Sequence, residues 1–277
     1  MKIMIAGAGG QLGRSLQSLL ESTDLLALSR QDMDVIDLDA VRAQVSTNRP
    51  DIVINCSAFN DVDGAESDHE SAYRSNAVGP RNLALAAAEC DASVLHVSTD
   101  YVFDGLSSRP YHEYDRPNPL SVYGKSKLAG ERAVIAANPR HFIVRTSWLY
   151  HEEGRNFPNT ILGLAKSQEL RVVNDQVGSP TYAPHLAEAI LRLIETEAYG
   201  TYHLAGRGGT SWYELTRTLL RELAINAPVV PVSTVEYPRP APRPRHSALT
   251  TIQEPRILLP SWKQGVKDFA AAIKNRS

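Results

Sequence analysis

The sequence contains little cysteine, few large aromatic residues and almost no net charge. Its 277 residues include 2 Cys, 3 Trp and 5 Phe, and the formal net charge at pH 7 is −2. Cys56 and Cys90 fall in segments with strand and helix patterns and have no clustered histidine, which argues against a disulfide scaffold and against a zinc site. Nucleic-acid and membrane-surface binders need a positive excess that this chain does not have. We expect neither as a partner, and no metal centre.

Long apolar runs are also missing. No stretch approaches the roughly 18 apolar residues that a membrane-spanning helix needs. The first five residues, MKIMI, lead directly into a strand-like segment, so we expect no leader sequence and a cytoplasmic location.

The first half of the chain alternates short apolar runs with helical patterns. Apolar runs occur at residues 3–6, 25–28, 52–55, 93–97 and 142–145, and helical patterns occur at 12–20, 38–45, 77–88 and 123–136. Runs without polar alternation are typical of strands covered on both faces, and strand–helix alternation is typical of a parallel sheet. We therefore predict an α/β fold, a Rossmann-type doubly wound parallel sheet.

The second half is less regular. It shows helical patterns at 157–166, 183–195, 211–223 and 262–274, apolar runs at 170–173 and 202–205, and a proline-rich stretch from 228 to 244. We predict a smaller, interleaved C-terminal lobe over most of 150–277. The first domain, 1–149, is predicted to take late sheet elements from about 170–205.

A glycine-rich segment, GAGGQLG at residues 7–13, links the first predicted strand to the first predicted helix. Gly7 permits a sharp turn, Gly10 lets the backbone approach a pyrophosphate, and Gly13 lets the helix pack closely on the sheet. A purely structural turn is the alternative, but the position between a strand and a helix favours a dinucleotide. Residues 1–149 are therefore predicted to bind NAD(P), and the C-terminal lobe to bind the substrate.

The end of the second predicted strand, Ser29-Arg30, bears on the choice of cofactor. NAD sites commonly have an acidic residue at this point, whereas an arginine can hold the 2′-phosphate of NADP. We expect NADPH, with NADH as the alternative, although Arg30 also fits a solvated loop charge. Asp37 and Leu38 are predicted on the adenine side, where the Asp37 carboxylate can accept a hydrogen bond from the adenine amino group.

A tyrosine, a lysine and a threonine predict carbonyl reduction. Tyr123 and Lys127 are four residues apart on one helix face, where an ammonium is expected to lower the tyrosine pKa. Thr99 and Asp100 close the fourth apolar run, and the carboxyl ends of parallel strands are where ligands bind. Thr99 can donate a hydrogen bond to a substrate carbonyl while Tyr123 supplies the proton. The pair Tyr123 and Lys127 alone also fits a packed tyrosine beside a solvated lysine.

These segments resemble the extended short-chain dehydrogenase/reductase family. The similarity runs nearly end to end, and within the family the motifs are most similar to those of dTDP-4-dehydrorhamnose reductases. It rests on the glycine triplet and on the following segments: STDYVFDG at 98–105, YGKSKLAGE at 123–131, RTSWLY at 145–150, NF at 156–157, NDQVGSPT at 174–181, GTYHL at 200–204 and RP at 243–244.

The resemblance implies NAD(P)H-dependent reduction of the 4-keto group of dTDP-4-dehydro-L-rhamnose to dTDP-L-rhamnose. It assigns Tyr123 as proton donor, Lys127 as its partner and cofactor ligand, and Thr99 as the hydroxyl that orients the ketone. Implied cofactor contacts are Gly10, Gln11, Leu12, Ser57, Ala58 and Phe59, and implied substrate contacts are Thr99, Asp100, Trp148, Asn156 and Arg243. His246 stands where the family commonly has Asn, so contacts in that late loop are less directly implied.

Other functions remain open at this stage. Tyr101 stands where related sugar-nucleotide dehydratases carry Glu, which disfavours dehydration. A reductase of another nucleotide-linked 4-keto sugar is one alternative. A non-catalytic NADP-binding regulatory subunit, like the β subunit of methionine adenosyltransferase, is another. A homodimer is compatible with the resemblance, and Mg²⁺ is compatible with the sequence but not indicated by it.

Three further features have a structural interpretation. His96 lies in a strand and is predicted to be a hydrogen-bonded core histidine. Asp61, Asp63 and Glu66 are predicted to start a helix. In the proline-rich stretch, the arginines fit either a diphosphate clamp or a solvated linker, with Arg243 the stronger candidate for the clamp.

Overall fold

The strands form where the short apolar runs lie. The structure, a computed structural model, describes residues 1–20, 24–165 and 169–276. In chain order the strands are β1 (Ile3–Ala6), β2 (Leu25–Leu28), β3 (Ile52–Asn55), β4 (Ser93–Thr99), β5 (His141–Thr146), β6 (Leu149–Tyr150), β7 (Leu170–Val173), β8 (Val177–Gly178), β9 (Thr181–Tyr182), β10 (Gly200–His203), β11 (Thr210–Ser211) and β12 (Val229–Val232).

Helices separate most of these strands. They are α1 (Gln11–Leu19), α2 (Leu38–Asn48), α3 (His69–Tyr73), α4 (Gly79–Glu89), α5 (Val122–Ala137), α6 (Phe157–Leu164), α7 (Ala183–Ile194), α8 (Trp212–Glu222) and α9 (Trp262–Arg276). A π-helical turn, Arg74–Val78, joins α3 to α4, and 3₁₀ turns cover Gly64–Glu66 and Asp100–Val102. None of the helices in the described ranges is long and apolar enough to cross a membrane.

The central sheet confirms the predicted doubly wound fold. Over the described residues it has six parallel strands in the order β10-β5-β4-β3-β1-β2. The chain runs from β1 outward to β2 and then returns to the other side of β1 at β3. Such a reversal leaves a crevice beyond the carboxyl ends of the two strands, which is where open α/β sheets bind ligands.

Both faces of the sheet are covered, because side chains alternate along each strand. Ile3 and Ile5 of β1 pack in one core with α1 and α7. Met4 and Ala6 of the same strand pack in the opposite core with α2 and α4. The absence of polar alternation in the apolar runs therefore follows from burial on both sides.

The C-terminal part builds a further core from α6, α8 and α9, in which Leu215, Leu219 and Phe269 are buried. Of the later strands, β10 pairs with β5 and joins the central sheet, whereas β7 pairs with β12 outside it. The strand β12 lies inside the proline-rich stretch, where no strand was expected. The helix predicted over 157–166 ends at Leu164, and Lys166 lies outside the described residues. The division at residue 149 stays a proposal.

Candidate active site

The carboxyl ends of β1, β3, β4 and β5 surround one central cleft of about 490 Å³. Most of the residues predicted as a site from the sequence line it. They are Gly10, Gln11, Leu12, Ser57, Ala58, Thr99, Asp100, Tyr123, Lys127 and Trp148. A second cavity of about 310 Å³, here called the outer cleft, shares Gly10, Ser57 and Ala58 with it and continues past Gly7 to Ser29 and Arg30.

The glycine turn has the geometry of a phosphate cradle. Gly7 has a φ of +80°, and a Cβ there would lie 2.6 Å from the Ser57 backbone nitrogen. A Cβ on Gly13 would lie 2.6 Å from the Gly7 carbonyl oxygen, so the first turn of α1 must pass close to the loop. Gly10 is the N-cap of α1 and provides no side-chain cap. The N-terminal backbone N–H groups of α1 therefore face the clefts and fit a pyrophosphate.

Only some of the residues predicted to bind the adenosine half of the cofactor line the outer cleft. Arg30 and Ser29 line the cleft, together with Asp34 and Val35. Asp37 does not line it, because its carboxylate caps α2 by accepting hydrogen bonds from the backbone N–H groups of Asp39 and Ala40. Leu38, the first residue of α2, is also absent from the lining. A contact of Asp37 and Leu38 with the adenine stays a prediction.

Lys127 is buried at the side of the central cleft. Its Nζ donates to the Val97 carbonyl oxygen at 2.7 Å and lies 3.5 Å from Nε2 of His96. Burial lowers the pKa of Lys127 to about 8, although Glu131 one turn further along α5 acts in the opposite direction. His96 is a buried core histidine, as expected, but its ring also contacts the lysine of the site.

Tyr123 has a pKa that differs from the sequence expectation. Burial raises the pKa of its hydroxyl to about 12, and the hydrogen bond with Thr99 lowers it only in part. Burial of the hydroxyl outweighs the lowering that was expected from Lys127, whose side-chain nitrogen contacts Val97 and His96. A high pKa keeps Tyr123 protonated at neutral pH, which suits a proton donor.

Thr99 and Asp100 end β4 beside Tyr123. The Thr99 hydroxyl donates to Oδ1 of Asp100 at 3.2 Å, and the Ser247 hydroxyl donates to Oδ2 of Asp100 at 2.5 Å. Burial raises the pKa of Asp100 to about 6 despite these hydrogen bonds. Ser247 comes from the late loop that contains Arg243, and it was not predicted as a site residue. The bond to Asp100 ties that loop to the floor of the cleft.

An aromatic pair forms part of the wall of the central cleft. Trp148 has a φ of +47°, a conformation that a bulky residue keeps only when its surroundings hold it. Its indole stacks on that of Trp212 with ring centroids 3.3 Å apart, and a Cβ on Gly178 would overlap it. Trp212 was not predicted as a site residue, because nothing near it in sequence marks it.

Asn156 and Phe59, which were predicted as ligand contacts, do not line the central cleft. The Asn156 side chain caps α6 by accepting from the backbone of Asn159, and its amide donates to Gln11 Oε1 at 3.0 Å. Its role in this structure is to join α6 to the glycine turn. Phe59 exchanges both of its backbone hydrogen bonds with the Asn76 side chain, so Phe59 holds the π-helical turn rather than lining the cleft.

A third cavity, here called the arginine cleft, adjoins the central cleft through Tyr101, Phe157 and Trp212. It contains the guanidinium groups of Arg171, Arg239 and Arg243.

Arg243 lies in this arginine cleft as predicted, but it is already paired. Its Nη1 and Nη2 donate to the two Asp63 carboxylate oxygens at 2.6 and 2.9 Å. Asp63 precedes a 3₁₀ turn rather than starting a longer helix, and Arg243 holds the pKa of Asp63 below its usual range. Arg171 was not predicted from the sequence.

The arrangement can transfer a proton to a carbonyl oxygen and bind a dinucleotide and a diphosphate. Among the described residues, no group of three or more His, Cys, Asp or Glu side chains is placed to hold a metal ion. The glycine turn and Arg30 mark one anionic ligand, and the arginine cleft marks a second. Thr99, Tyr123 and Lys127 lie between them.

Comparison with known proteins agrees with this geometry. Residues 1–275 match the family described as the RmlD substrate binding domain. A dTDP-4-dehydrorhamnose reductase of Mycobacterium tuberculosis is 44% identical over 262 residues, which cover 91% of this chain and 86% of that protein. The structure of a dTDP-4-dehydrorhamnose reductase from Clostridium acetobutylicum has a TM-score of 0.96 at 41% identity and covers 99% of this chain and 100% of its own. The Bacillus anthracis reductase, solved in complex with NADP, has a TM-score of 0.95 at 39% identity, covering 98% of this chain and 100% of its own.

Proposed function

We propose that this chain, which belongs to the family of the RmlD substrate binding domain, reduces the 4-keto group of dTDP-4-dehydro-L-rhamnose to give dTDP-L-rhamnose. The reductant would be NADPH. The family includes dTDP-4-dehydrorhamnose reductases. The observation that carries the proposal is the position of a protonated tyrosine between two anion sites. Tyr123 lies in the central cleft, which adjoins the outer cleft on one side and the arginine cleft on the other.

The glycine turn is the cofactor side of this arrangement. When bound, the reduced nicotinamide supplies a hydride to the carbonyl carbon. Gly10 and the first turn of α1 would hold the pyrophosphate, Ser57 and Ala58 would line the cofactor path, and Lys127 would face the nicotinamide ribose. Arg30 at the rim of the outer cleft supports NADPH rather than NADH, since a guanidinium matches a phosphate.

The proton that the keto oxygen takes up comes from Tyr123. Thr99 donates a hydrogen bond that orients the keto oxygen, and the O–H bond of Tyr123 breaks as that oxygen takes up the proton. The phenolate that remains is stabilised by the Lys127 ammonium. Because burial raises the pKa of Tyr123 to about 12, the hydroxyl holds its proton until an oxyanion of comparable basicity develops beside it.

The arginine cleft is the nucleotide-diphosphate side. Arg171, Arg239 and Arg243 bring three positive charges, and Asp63 offsets one of them by its bond to Arg243. The excess charge matches a diphosphate. Trp148, stacked on Trp212 at the junction of the two clefts, gives the sugar an apolar wall.

Dehydration is a poorer fit to the same site. It would need an acid and a base beside Asp100, and Tyr101 occupies the position where an acidic residue would stand. Burial raises the pKa of Tyr101, and its side chain lies against Arg243 and, at 5.6 Å between ring centroids, against Tyr123. It therefore remains a neutral phenol.

We further propose that a nucleotide sugar is the partner of the enzyme and that the enzyme is cytoplasmic. We also propose that it forms a homodimer through α4 and α5. The partly exposed apolar side chains of Tyr73, Val78 and Ile135 on this side of the molecule support the dimer. Light scattering of the purified protein tests the dimer: a monomeric mass at micromolar concentration would contradict it.

The direct test follows NADPH absorbance with enzymatically prepared dTDP-4-dehydro-L-rhamnose, alongside UDP- and GDP-linked 4-keto sugars. We expect turnover with the dTDP sugar and loss of kcat by about 10²–10⁴-fold in Tyr123→Phe, with NADPH binding kept. Tyr202→Phe is the matched control, because Tyr202 lies on β10 outside the cleft lining and its buried hydroxyl donates to the Ala198 carbonyl oxygen.

The outcomes separate the candidate functions. NADPH binding without turnover of any 4-keto sugar would favour a regulatory protein. Turnover of a UDP or GDP sugar in preference to the dTDP sugar would favour a different reductase. Full activity in Tyr123→Phe would refute the assignment of the proton donor.

A further inference from the structure

A chain of buried polar side chains runs beneath the cofactor side of the central cleft. Asn55 ends β3 and His96 is its cross-strand partner on β4, and both are fully buried. Nδ2 of Asn55 lies 3.0 Å from Nδ1 of His96, and Nε2 of the same ring lies 3.5 Å from Nζ of Lys127. The chain thus links the loop after β3, at Ser57, to the lysine on α5.

The orientation of the Asn55 amide is fixed by the backbone. Its Oδ1 accepts from the Ser57 backbone N–H at 2.9 Å and from the Ser57 hydroxyl at 2.6 Å. A backbone N–H can only donate, so Oδ1 must face Ser57 and the amide NH₂ must face His96. Nδ1 of His96 is therefore an acceptor, and a neutral imidazole with an unprotonated Nδ1 carries its hydrogen on Nε2.

We propose that His96 is a positioning residue for Lys127, held by Asn55 in the Nε2–H tautomer so that this N–H faces the lysine amine. The inference rests on the proposed function, because it concerns the lysine of that site. A neutral amine can accept the Nε2–H while donating to Val97, whereas an ammonium has no lone pair to accept it. His96 thereby favours the neutral amine in the free protein.

The other ionisable groups that face Lys127 are either paired or neutral, so the contact with His96 acts on the lysine pKa in addition to them. On its own helix Glu131 faces it but is paired with Arg145, and Tyr123 stays protonated. From β3 Cys56 faces it, and burial raises the pKa of that thiol to about 12, so the thiol is neutral. Burial also lowers the pKa of His96, which keeps the ring neutral as the tautomer requires.

The consequence concerns when Lys127 becomes charged. In the free protein the amine and the ammonium are close in free energy. The phenolate left on Tyr123 after proton transfer raises the pKa of Lys127, so the amine then takes up a proton from solvent. His96 therefore favours the neutral amine before proton transfer, and the ammonium forms once the phenolate is present.

The tautomer is measurable without any substrate. In protein labelled with ¹⁵N-histidine, assigned through His96→Gln, the ring of His96 is expected to show the Nε2–H pattern from about pH 6 to pH 9. An Nδ1–H pattern, or protonation of the ring near its ordinary pKa, would overturn the proposal. Since this readout needs no turnover, it fails or succeeds independently of the proposed reductase activity.

Asn55→Asp reverses the hydrogen bond with almost no change of shape. A carboxylate still accepts from Ser57, but it forces His96 to donate from Nδ1, which leaves Nε2 as an acceptor for the Lys127 ammonium. The pKa of Lys127, followed by ¹³Cε chemical shift, is then expected to rise by about one unit or more. His96→Gln keeps an acceptor toward Asn55 and an N–H toward the lysine, so it should leave that pKa nearly unchanged.

His203→Gln is the matched control, because His203 is a buried histidine of the same sheet, on β10, that does not contact Lys127. An unreversed tautomer in Asn55→Asp would show that Asn55 does not dictate the ring. A reversed tautomer with an unchanged Lys127 pKa would show that the ring does not act on the lysine. Either result would overturn the proposal.

Discussion

The buried pair of Glu131 and Arg145 makes a strong quantitative prediction. Oε1 of Glu131 accepts from Arg145 Nε at 2.9 Å and from the Ser98 hydroxyl at 2.6 Å, and Oε2 accepts from Arg145 Nη2 at 2.7 Å. The two side chains are 3% and 6% exposed. Glu131→Gln keeps the shape but leaves the Arg145 guanidinium buried without a counter-charge. Breaking such a pair costs about 3–5 kcal/mol of unfolding free energy.

A surface pair on the same protein provides the control. Arg42 and Glu89 also form a bidentate contact, with Nη2 to Oε1 at 2.6 Å, but their side chains are 44% and 47% exposed. Glu89→Gln is expected to cost at most about 1 kcal/mol, because water screens the pair and solvates the arginine left behind. Urea unfolding followed by far-UV circular dichroism measures both variants. Equal losses in the two would refute the argument from burial.

The same substitution has an effect on pH dependence. Burial lowers the pKa of Lys127 to about 8, and the Glu131 carboxylate counteracts that lowering. Lys127 is charged below its pKa, so reduction is expected to decline as the pH rises through about 8 in the wild type. Without the carboxylate the pKa falls further, and the alkaline limb of kcat/KM moves to lower pH. A limb that stays in place in Glu131→Gln would show that the carboxylate does not act on Lys127.

Two further substitutions test the walls of the clefts. Gly178→Ala should displace the Trp148 indole, costing about 1–3 kcal/mol of stability and raising KM for the sugar nucleotide, while Gly163→Ala, whose Cβ meets nothing within 4 Å, should leave KM unchanged. An unchanged KM in both variants would remove Trp148 from the substrate site. Arg30→Ala should raise KM for NADPH by about 10–100-fold and leave KM for NADH nearly unchanged in steady-state assays. An equal effect on the two cofactors would contradict the phosphate contact.

The centre of the fold and the reacting groups could be predicted from the sequence because both depend on local patterns. Each apolar run of the first half became a strand of the central sheet, since a short run without polar alternation can be satisfied only where both faces are covered. The rule that ligands bind at strand carboxyl ends then places Thr99 in the cleft. Helical spacing places Tyr123 and Lys127 beside it.

Asp37 and Asn156 have a capping role that the sequence analysis did not assign to them. Both were predicted to contact ligands, and in the structure both accept hydrogen bonds from the first backbone N–H groups of a helix. Asp and Asn are the residue types that cap helices well, and each directly precedes a helical pattern. The local backbone provides such a side chain with a nearby partner, so both capping interactions follow from the local sequence.

No sequence pattern predicted ion pairs between residues that are far apart along the chain. Asp63 and Arg243 are 180 positions apart, and neither periodicity nor spacing connects them. The acidic residue was therefore predicted to start a helix, and the arginine to bind phosphate directly. Their pairing leaves Arg171 and Arg239 as the less neutralised cations of the arginine cleft, although Arg171 stands far from the proline-rich stretch.

The helix α5 carries both the proton donor Tyr123 and the groups that set the pH range of the reaction. Tyr123, Lys127 and Glu131 are spaced four residues apart, so they lie along one face. The first residue lies in the cleft, the second contacts β4, and the third is bound beneath it to Arg145. Burial alone would push Lys127 toward neutrality, and Glu131 opposes that push. The tyrosine and lysine specify a carbonyl reductase, whereas the buried carboxylate one turn further on specifies how much of the lysine is charged at neutral pH.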